Sequence, residues 1–311
     1  MRRALAAGLA AAGAARAADA ALKRYPPGGE KTWSRTNHRG EPVTLLEGPA
    51  VALGAVAIQF ISPERTRLTP QAQALALAGA GALAFGAYDD LAGSGKRRGL
   101  RGHLGALAHG EVTTGAVKLG GIGATGVVSA ALIGGDPADV AINAGLIAGG
   151  ANLLNLFDLR PGRAIKVTAA SAALIAAGGG AEGAAAAAAP LGAAVALLPE
   201  DLGERAMLGD AGANALGAML GAAAAVSLPR PARLALLGGI VALTAASEKV
   251  SFTKVIERTP ALRWLDMLGR RPPDPVLRPL IPTQRGDLRT SNGAATTVRS
   301  AENTDPTPPE E

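Results

Sequence analysis

Long uncharged blocks of Ala, Gly, Leu and Val alternate with short charged segments along the whole chain. Blocks of this length and composition are typical of helices that cross a membrane. The pattern predicts an N-terminal apolar segment at 1–22, followed by spans at 45–61, 75–88, 112–133, 140–157, 164–177 and 184–198, a span after Asp210 that ends near Leu228, and a span at 232–246. We therefore predict an all-α fold, a polytopic membrane bundle of about nine transmembrane helices, within a range of eight to ten.

The two ends of the chain differ from this central pattern. Residues 1–22 resemble a secretory signal with a small-residue cleavage site, or equally a retained first span. Residues 249–271 interleave apolar and basic residues, so we expect this cytoplasmic amphipathic segment to lie on the membrane surface. Residues 272–311 are rich in Pro, Thr, Asp and Glu, which predicts a disordered cytoplasmic tail. The organisation is thus a bundle over 1–248, the amphipathic segment and the tail.

Composition narrows the classes of function. Hydrophobic residues make up 48% of the chain and charged residues 18%, with a net charge of +6. This charge suits anionic lipid headgroups and phosphorylated substrates. Aromatic residues are only 3%, which argues against nucleic acid as a partner, and the absence of Cys excludes disulfides and thiolate chemistry. We expect membrane lipids as neighbours and allow for a homodimer. Gly145/Gly149 and Gly217/Gly221 have a spacing found between packed membrane helices, although such spacings also arise by chance in a chain this rich in Ala and Gly.

The positions of Lys and Arg predict the orientation. With the first span retained, one side of the membrane holds the loops 23–44, 89–111, 158–163 and 199–209 and the chain after 247. That side carries most of the basic residues near the membrane, which makes it cytoplasmic in a plasma-membrane protein.

Four carboxylates fall at this cytoplasmic edge, each next to a predicted span. Asp89 and Asp90 follow one span, Asp158 ends another and Asp210 precedes a third. Acids are disfavoured at helix C-termini, where the helix dipole is negative, so Asp89 and Asp90 favour a functional role. Asp158 could simply pair with nearby arginines, and Asp210 taken alone reads as a helix N-cap.

Carboxylates and cations at one depth suit a Mg²⁺ ion that holds a diphosphate. Arg101, Arg160 and Arg163 are candidate phosphate ligands, because guanidinium groups bind phosphate oxygens in pairs. Lys118 lies six residues into its span, and either extends to the interface or contacts a lipid phosphate. The three His residues lack metal-ligand spacing, so we assign them no role.

Three motifs together resemble a known family. Asp89-Asp90 after a span, Asn152-x-x-Asn155-x-x-Asp158 at the end of another and Met207-Leu-Gly-Asp210-Ala-Gly at the start of a third are similar to the polyprenyl-phosphate N-acetylhexosamine-1-phosphate transferases. Arg35-Thr-Asn-His-Arg-Gly40 is similar to the first cytoplasmic loop of that family, and the resemblance covers about residues 1–270.

The resemblance implies transfer of a sugar-1-phosphate, of the N-acetylhexosamine type, from a UDP-sugar to a polyprenyl phosphate in cell-envelope glycan synthesis. It implies that Asp89 and Asp90 lie near the lipid phosphate and that Asp210, with Asp90, binds Mg²⁺. Asn152, Asn155 and Asp158 would hold the nucleotide.

One departure keeps a second hypothesis open. The family usually places a further acid after Asp158, whereas this chain has Leu159-Arg-Pro-Gly-Arg163. The alternative is a non-catalytic membrane protein of the same fold that binds a lipid phosphate or a cell-envelope partner. A transporter ranks lower, because the charged residues collect at one membrane edge.

Overall fold

A computed structural model describes residues 1–61, 68–93, 105 and 109–272, and the chain as described is 79% helical. Residues Met1–Arg271 form one compact unit. The helices are α1 (Arg2–Arg24), α2 (Glu30–Trp33), α3 (Glu47–Ala57), α4 (Pro70–Ala92), α5 (Thr114–Ile133), α6 (Pro137–Phe157), α7 (Arg163–Leu202), α8 (Gly209–Ser227), α9 (Arg230–Ser247), α10 (Phe252–Arg258) and α11 (Pro260–Met267). The mostly helical fold agrees with the all-α expectation.

A small antiparallel sheet precedes α3. Strand β1 (Ser34–Thr36) pairs with β2 (Pro42–Thr44). The turn between them contains Gly40 at a φ of 84°, a conformation that glycine adopts without strain. This hairpin holds the Arg35–Gly40 loop at the end of the bundle where α3 begins.

Four helices, α1, α5, α6 and α7, are long and apolar enough to cross a membrane, or up to five if α9 and α10 form one span with a bend of 95°. These candidates are compatible with a membrane protein. The expected count of about nine spans is not confirmed, because α3 is too short and α4 and α8 are not among the candidates by the same test.

Helix α7 contains the glycine-rich turn that separates two predicted spans. Its 40 residues include Gly180 with φ 57° and ψ −136°, which is not helical. A straight helix of this length would be about 60 Å long. Yet a Cβ atom on Gly162, just before α7, would lie 2.4 Å from Leu202 Cδ2 at its far end. The chain therefore reverses at Gly180, and the two arms of α7 lie side by side.

Helix α8 forms the centre of the bundle, since nearly every residue from Gly209 to Ala225 is buried. Its glycines allow the closest approach to α6. A Cβ atom on Gly217 would lie 2.2 Å from the carbonyl oxygen of Gly150, and one on Gly221 would lie 2.3 Å from that of Leu146. The small-residue spacing at 217 and 221 thus serves packing within the chain.

Helix α1 packs into the bundle against α3 and α7. Ala11 and Ala15 are fully buried, and a Cβ atom on Gly192 of α7 would lie 2.0 Å from the carbonyl oxygen of Gly8. Helix α1 is also one of the helices that are long and apolar enough to cross a membrane.

Candidate functional site

Three helices bring charged side chains together at one end of the bundle. Lys118 of α5 places its Nζ 2.7 Å from Asp89 Oδ2 of α4 and 2.5 Å from Asp210 Oδ2 of α8. All three side chains are largely shielded from solvent, at 14%, 16% and 24% exposure respectively. The ammonium group of Lys118 is held between two carboxylates rather than extended to the interface.

Asp90 joins the same group by capping α8. Its Oδ1 accepts the backbone N–H of Asp210 at 3.0 Å, and its Oδ2 accepts that of Ala211 at 2.9 Å. These N–H groups lie in the first turn of α8, where they have no partner within the helix. The positive end of the helix dipole also favours a carboxylate there. We call Asp89, Asp90, Asp210 and Lys118 the acid cluster.

Local sequence explains why α4 and α8 meet at this point. A Cβ atom on Gly86 would lie 2.4 Å from the carbonyl oxygen of Asp210, so the glycine permits the contact. Helix α4 continues to Ala92, which corrects the expectation that the span ends at Tyr88. Asp89 and Asp90 therefore lie within the last turn of the helix. Arg35 begins the loop Arg35–Gly40, which resembles the first cytoplasmic loop of the transferase family, and it donates a hydrogen bond to the carbonyl oxygen of Asp90.

Asp158 lies beside the acid cluster, at the C-terminal end of α6. Its backbone N–H bonds to the carbonyl oxygen of Asn155, and the backbone of Gly209, next to Asp210, hydrogen-bonds to its carboxylate. Burial raises the pKa of Asp158 well above its usual value, and the nearby carboxylates of Asp201, Asp210 and Asp90 raise it further. Asp201 thus adds a carboxylate to those that the sequence motifs contain.

A cavity of about 190 Å³ adjoins this acid-rich end. It is lined by Thr36, Asn37, His38, Val43, Asp158, Leu159, Arg160, Pro161, Asp201, Glu204, Ala206 and Met207. Acidic, basic and apolar groups therefore meet in one polar recess. His38, to which the sequence analysis assigned no role, lines this cavity. Burial and the nearby arginines lower the pKa of its imidazole.

Several buried acids escaped the sequence analysis, among them Glu47 and Asp201. Glu47, in the first turn of α3, is fully buried, and neither of its carboxylate oxygens has a hydrogen-bond partner among the described residues. Asp201, near the end of α7, is 3% exposed and its Oδ2 has none in that part of the chain either. An ionised carboxylate is costly in such a place unless it is paired. The only signal for Glu47 was an isolated acid within an apolar run.

A second charge cluster fixes the start of α7. Arg163 Nε lies 2.7 Å from Asp266 Oδ1, and its NH1 donates to Thr253 Oγ1 at 3.0 Å. Arg270 bonds to Asp266 Oδ2 at 2.7 Å, and Lys166 Nζ bonds to the carbonyl oxygen of Asp266 at 2.7 Å. We call these residues the Asp266 cluster. Arg163, a predicted phosphate ligand, is 4% exposed and bonded to protein groups instead.

The remaining predicted residues lie around this end. Asn152 and Asn155 occupy the last two turns of α6, and Arg160 lines the cavity while donating to its own neighbour's carbonyl oxygen, that of Leu159. Arg101 and the basic segment 96–98 fall outside the described residues.

The acid cluster offers few ligands for Mg²⁺. Within the described ranges, no three His, Cys, Asp or Glu residues are arranged to hold a metal ion. Mg²⁺ sites in phosphoryl transfer commonly need only one or two carboxylates, with substrate phosphates and water completing the shell. Asp89 and Asp210 converge on one cation, Lys118, and so satisfy that smaller requirement.

The opposite end of the bundle carries charges of another kind. Arg230 NH1 lies 3.1 Å from Asp136 Oδ2, and Arg233 NH2 lies 2.9 Å from Asp139 Oδ1. Acids and bases are balanced there. Of these two groups of charged residues, only the acid cluster has more carboxylates than cations.

Comparison with known proteins adds no assignment. No protein-family model matches the chain, and no curated protein matches it closely enough to show a relationship.

Proposed function

We propose that the protein transfers a sugar-1-phosphate from a UDP-sugar to a polyprenyl phosphate at the cytoplasmic face of the cell membrane. The observation that carries the proposal is the convergence of Asp89, Asp210 and Lys118 from three helices, with Asp90 and Asp158 beside them. The order and spacing of these motifs along the chain, which resemble the transferase family named above, support the same reaction.

In the reaction, an oxygen of the polyprenyl phosphate attacks the sugar-bearing phosphorus of the UDP-sugar. A new phosphorus–oxygen bond forms to the lipid phosphate, and the bond to the bridging oxygen of the pyrophosphate breaks. UMP leaves with that electron pair. The transition state is mainly stabilised by positioning and by charge, so the protein needs few covalent steps.

The chain's own residues supply positioning and charge. Lys118 offers an ammonium group to phosphate oxygens in a part-buried place, where its charge acts more strongly than in water. Asp89 lies 2.7 Å from it and orients it. Asp90 does not depend on Lys118 for its position, because two backbone N–H groups of α8 hold it. The acid cluster is thus fixed before any substrate binds.

Mg²⁺ would be held by Asp210 and Asp89 in place of the Asp90 that the resemblance implies, because both carboxylate oxygens of Asp90 accept backbone N–H groups of α8. When bound, it would neutralise charge on the transferring phosphoryl group. The adjoining cavity supports a place for the nucleotide. Its walls include Arg160 and His38, which suit phosphate or base contacts. Asn152 and Asn155 lie in the last two turns of α6, which ends just before Asp158 in the cavity wall.

One observation favours the non-catalytic alternative. Arg163 bonds to Asp266 and not to a substrate phosphate. Of the arginines that follow Asp158, where the family usually has a further acid, this one therefore has a structural role. A protein of this fold that binds a lipid phosphate at Lys118 without turnover would have the same cluster.

The test is an assay of the full-length chain in lipid nanodiscs with polyprenyl phosphate and Mg²⁺. A panel of radiolabelled UDP-sugars is supplied one at a time. We expect one of them to yield a lipid-linked product together with an equal amount of UMP. Absence of product across the panel, with protein that is folded by circular dichroism, contradicts the catalytic proposal. Retained binding of polyprenyl phosphate in that case supports the alternative.

A further inference from the structure

The chain after α9 is attached to the bundle through its polar side. Asp266 is the one buried residue of α11, and it bonds to Arg163 and Arg270. Phe252 of α10 stacks on Phe157 at the end of α6, with ring centroids 5.0 Å apart. Arg271 bonds to Glu41 at 2.6 Å. Three separate contacts therefore hold α10 and α11 against the end of the bundle.

Large hydrophobic side chains of these helices are left exposed by the described part of the chain: Val255 at 41%, Leu262 at 42%, Trp264 at 65%, Leu265 at 51% and Leu268 at 54%. We call these five residues the outer face. Trp264 is two positions from Asp266, about 200° around the helix, so its side chain points away from the buried carboxylate, whereas Leu262, four positions away, is about 40° from it. An exposed apolar surface of this kind marks a site of interaction.

The preceding helix places this face at a membrane edge. Ile240 is the sole buried residue of α9, so most of the apolar surface of α9 is turned outward. The axis of α10 is bent by 95° from that of α9. If α9 runs along the membrane normal, α10 lies in the membrane plane.

The charges around the outer face are mainly positive. Lys249, Lys254, Arg258 and Arg263 are exposed, against Glu248 and Glu257. Basic residues flanking Trp and Leu are the pattern of helices that lie in the headgroup layer of anionic membranes. A second copy of the chain would bring an identical positive rim to the same place, and the two rims would repel each other.

We propose that the outer face of α10 and α11 is embedded in the headgroup layer of the membrane and binds anionic phospholipid. The face then holds the cytoplasmic end of the bundle, through the Asp266 cluster, at a fixed depth in the membrane. This inference does not depend on the proposed transferase activity.

The tryptophans provide the probe, since the chain has only two. Trp33 is 6% exposed and donates to the carbonyl oxygen of Pro27, whereas Trp264 is exposed. The full-length Trp33→Phe variant leaves Trp264 as the sole emitter. It is placed in nanodiscs of phosphatidylcholine with or without phosphatidylglycerol, and quenched by lipids with a spin label at shallow or deep positions or by aqueous acrylamide.

We expect shallow labels to reduce Trp264 emission to about half, deep labels to have less effect and acrylamide little, because such helices insert about 5–10 Å. Quenching should increase with phosphatidylglycerol. The Lys254→Gln/Arg258→Gln/Arg263→Gln variant should lose that increase, and Lys31→Gln, which removes an exposed charge elsewhere, should keep it.

Two results would overturn the proposal. Strong quenching by acrylamide alone would show that the face is open to water. Protection from both lipid labels and acrylamide would show that protein covers it, whether a second copy or another part of the chain. The Trp264→Phe variant, which reports Trp33 only, gives the baseline for a buried tryptophan.

Discussion

The acid cluster and the Asp266 cluster lie at the same end of the bundle with opposite balances of charge. In the first, one ammonium group lies between two carboxylates and a third carboxylate caps α8. In the second, two guanidinium groups bond to one carboxylate and an ammonium group bonds to the carbonyl oxygen of the same residue. Each holds together elements that are far apart in the sequence. They differ in what their charges contact.

In the Asp266 cluster, the carboxylate and the carbonyl oxygen of one residue receive hydrogen bonds from Arg163, Lys166 and Arg270. Burial by itself would raise the pKa of Asp266, but the bonds and charges of Arg163 and its neighbours bring it below the usual value. The side chain is thus ionised and matched. Such a cluster stabilises one arrangement of α7 against α11 and leaves little capacity for a ligand.

In the acid cluster, a single ammonium group serves two carboxylates, and a third carboxylate caps a helix. The excess of negative charge is shielded from water, where it is costly unless a cation joins it. The comparison teaches that the number of buried charges does not distinguish the candidate site from the structural cluster. The balance of charges and the partners of each group do.

The largest effect is expected from removing a carboxylate of the acid cluster. Asp210→Asn keeps the shape of the side chain but loses the charge that faces Lys118. We expect the rate of lipid-linked product formation to fall about 100-fold or more, a usual loss for groups acting in proton transfer or charge stabilisation. Asp89→Asn should behave alike.

Asp136→Asn is the matched control for these variants. Asp136 caps α6 at the opposite end of the bundle, and Asn is an equally good N-cap. Its rate should match the wild type. Equal losses in Asp136→Asn and Asp210→Asn would assign the effect to folding and not to the site.

A smaller effect, on stability and not on chemistry, is expected in the Asp266 cluster. Asp266→Ala leaves Arg163 buried without its counter-charge, which should lower the free energy of unfolding by about 3 kcal/mol. Arg230→Gln, which breaks an exposed pair with Asp136, should cost less than about 1 kcal/mol. Chemical denaturation in detergent micelles measures both.

The difference in stability between wild type and Asp266→Ala should depend on pH. The lowered pKa of Asp266 means that its stabilisation is complete above the usual Asp value, about pH 4, and is lost as the pH falls through the lower folded-state value. Wild type and Asp266→Ala should therefore converge in stability in acid. A constant difference between pH 7 and pH 3 would contradict the ionised pair.

The smallest effect is expected at Lys118. Lys118→Met leaves Asp89 and Asp210 facing each other without the ammonium group, which should lower stability by about 2 kcal/mol in the absence of divalent cations. Mg²⁺ should restore it, so the increase of the thermal midpoint on adding Mg²⁺ should be larger than in wild type. Lys31→Met, an exposed lysine, should respond as wild type does. No response to Mg²⁺ in the Lys118 variant would mean that no cation binds between these carboxylates.

Periodicity and composition predicted much of the helical framework. Uncharged runs of Ala, Leu and Gly form helices because their backbone groups must be satisfied where water is scarce. The run of glycines near Gly180 predicted the reversal in α7, since glycine alone adopts such a conformation without strain. Counting spans also predicted that Asp89, Asp158 and Asp210 share one end, because successive helices alternate in direction.

Only the tertiary structure decided which charges meet. Lys118 and Asp210 are 92 residues apart, and Arg163 and Asp266 are 103 apart. Each contact depends on how every helix is rotated about its axis, and that rotation is set by the packing of small side chains around α8. Because 12 of the 19 residues of that helix are Ala or Gly, the hydrophobic pattern marks no preferred face. The sequence thus determined that acids and bases gather at one end. Packing determined that Lys118 pairs with Asp89 and Asp210, and that Arg163 pairs with Asp266.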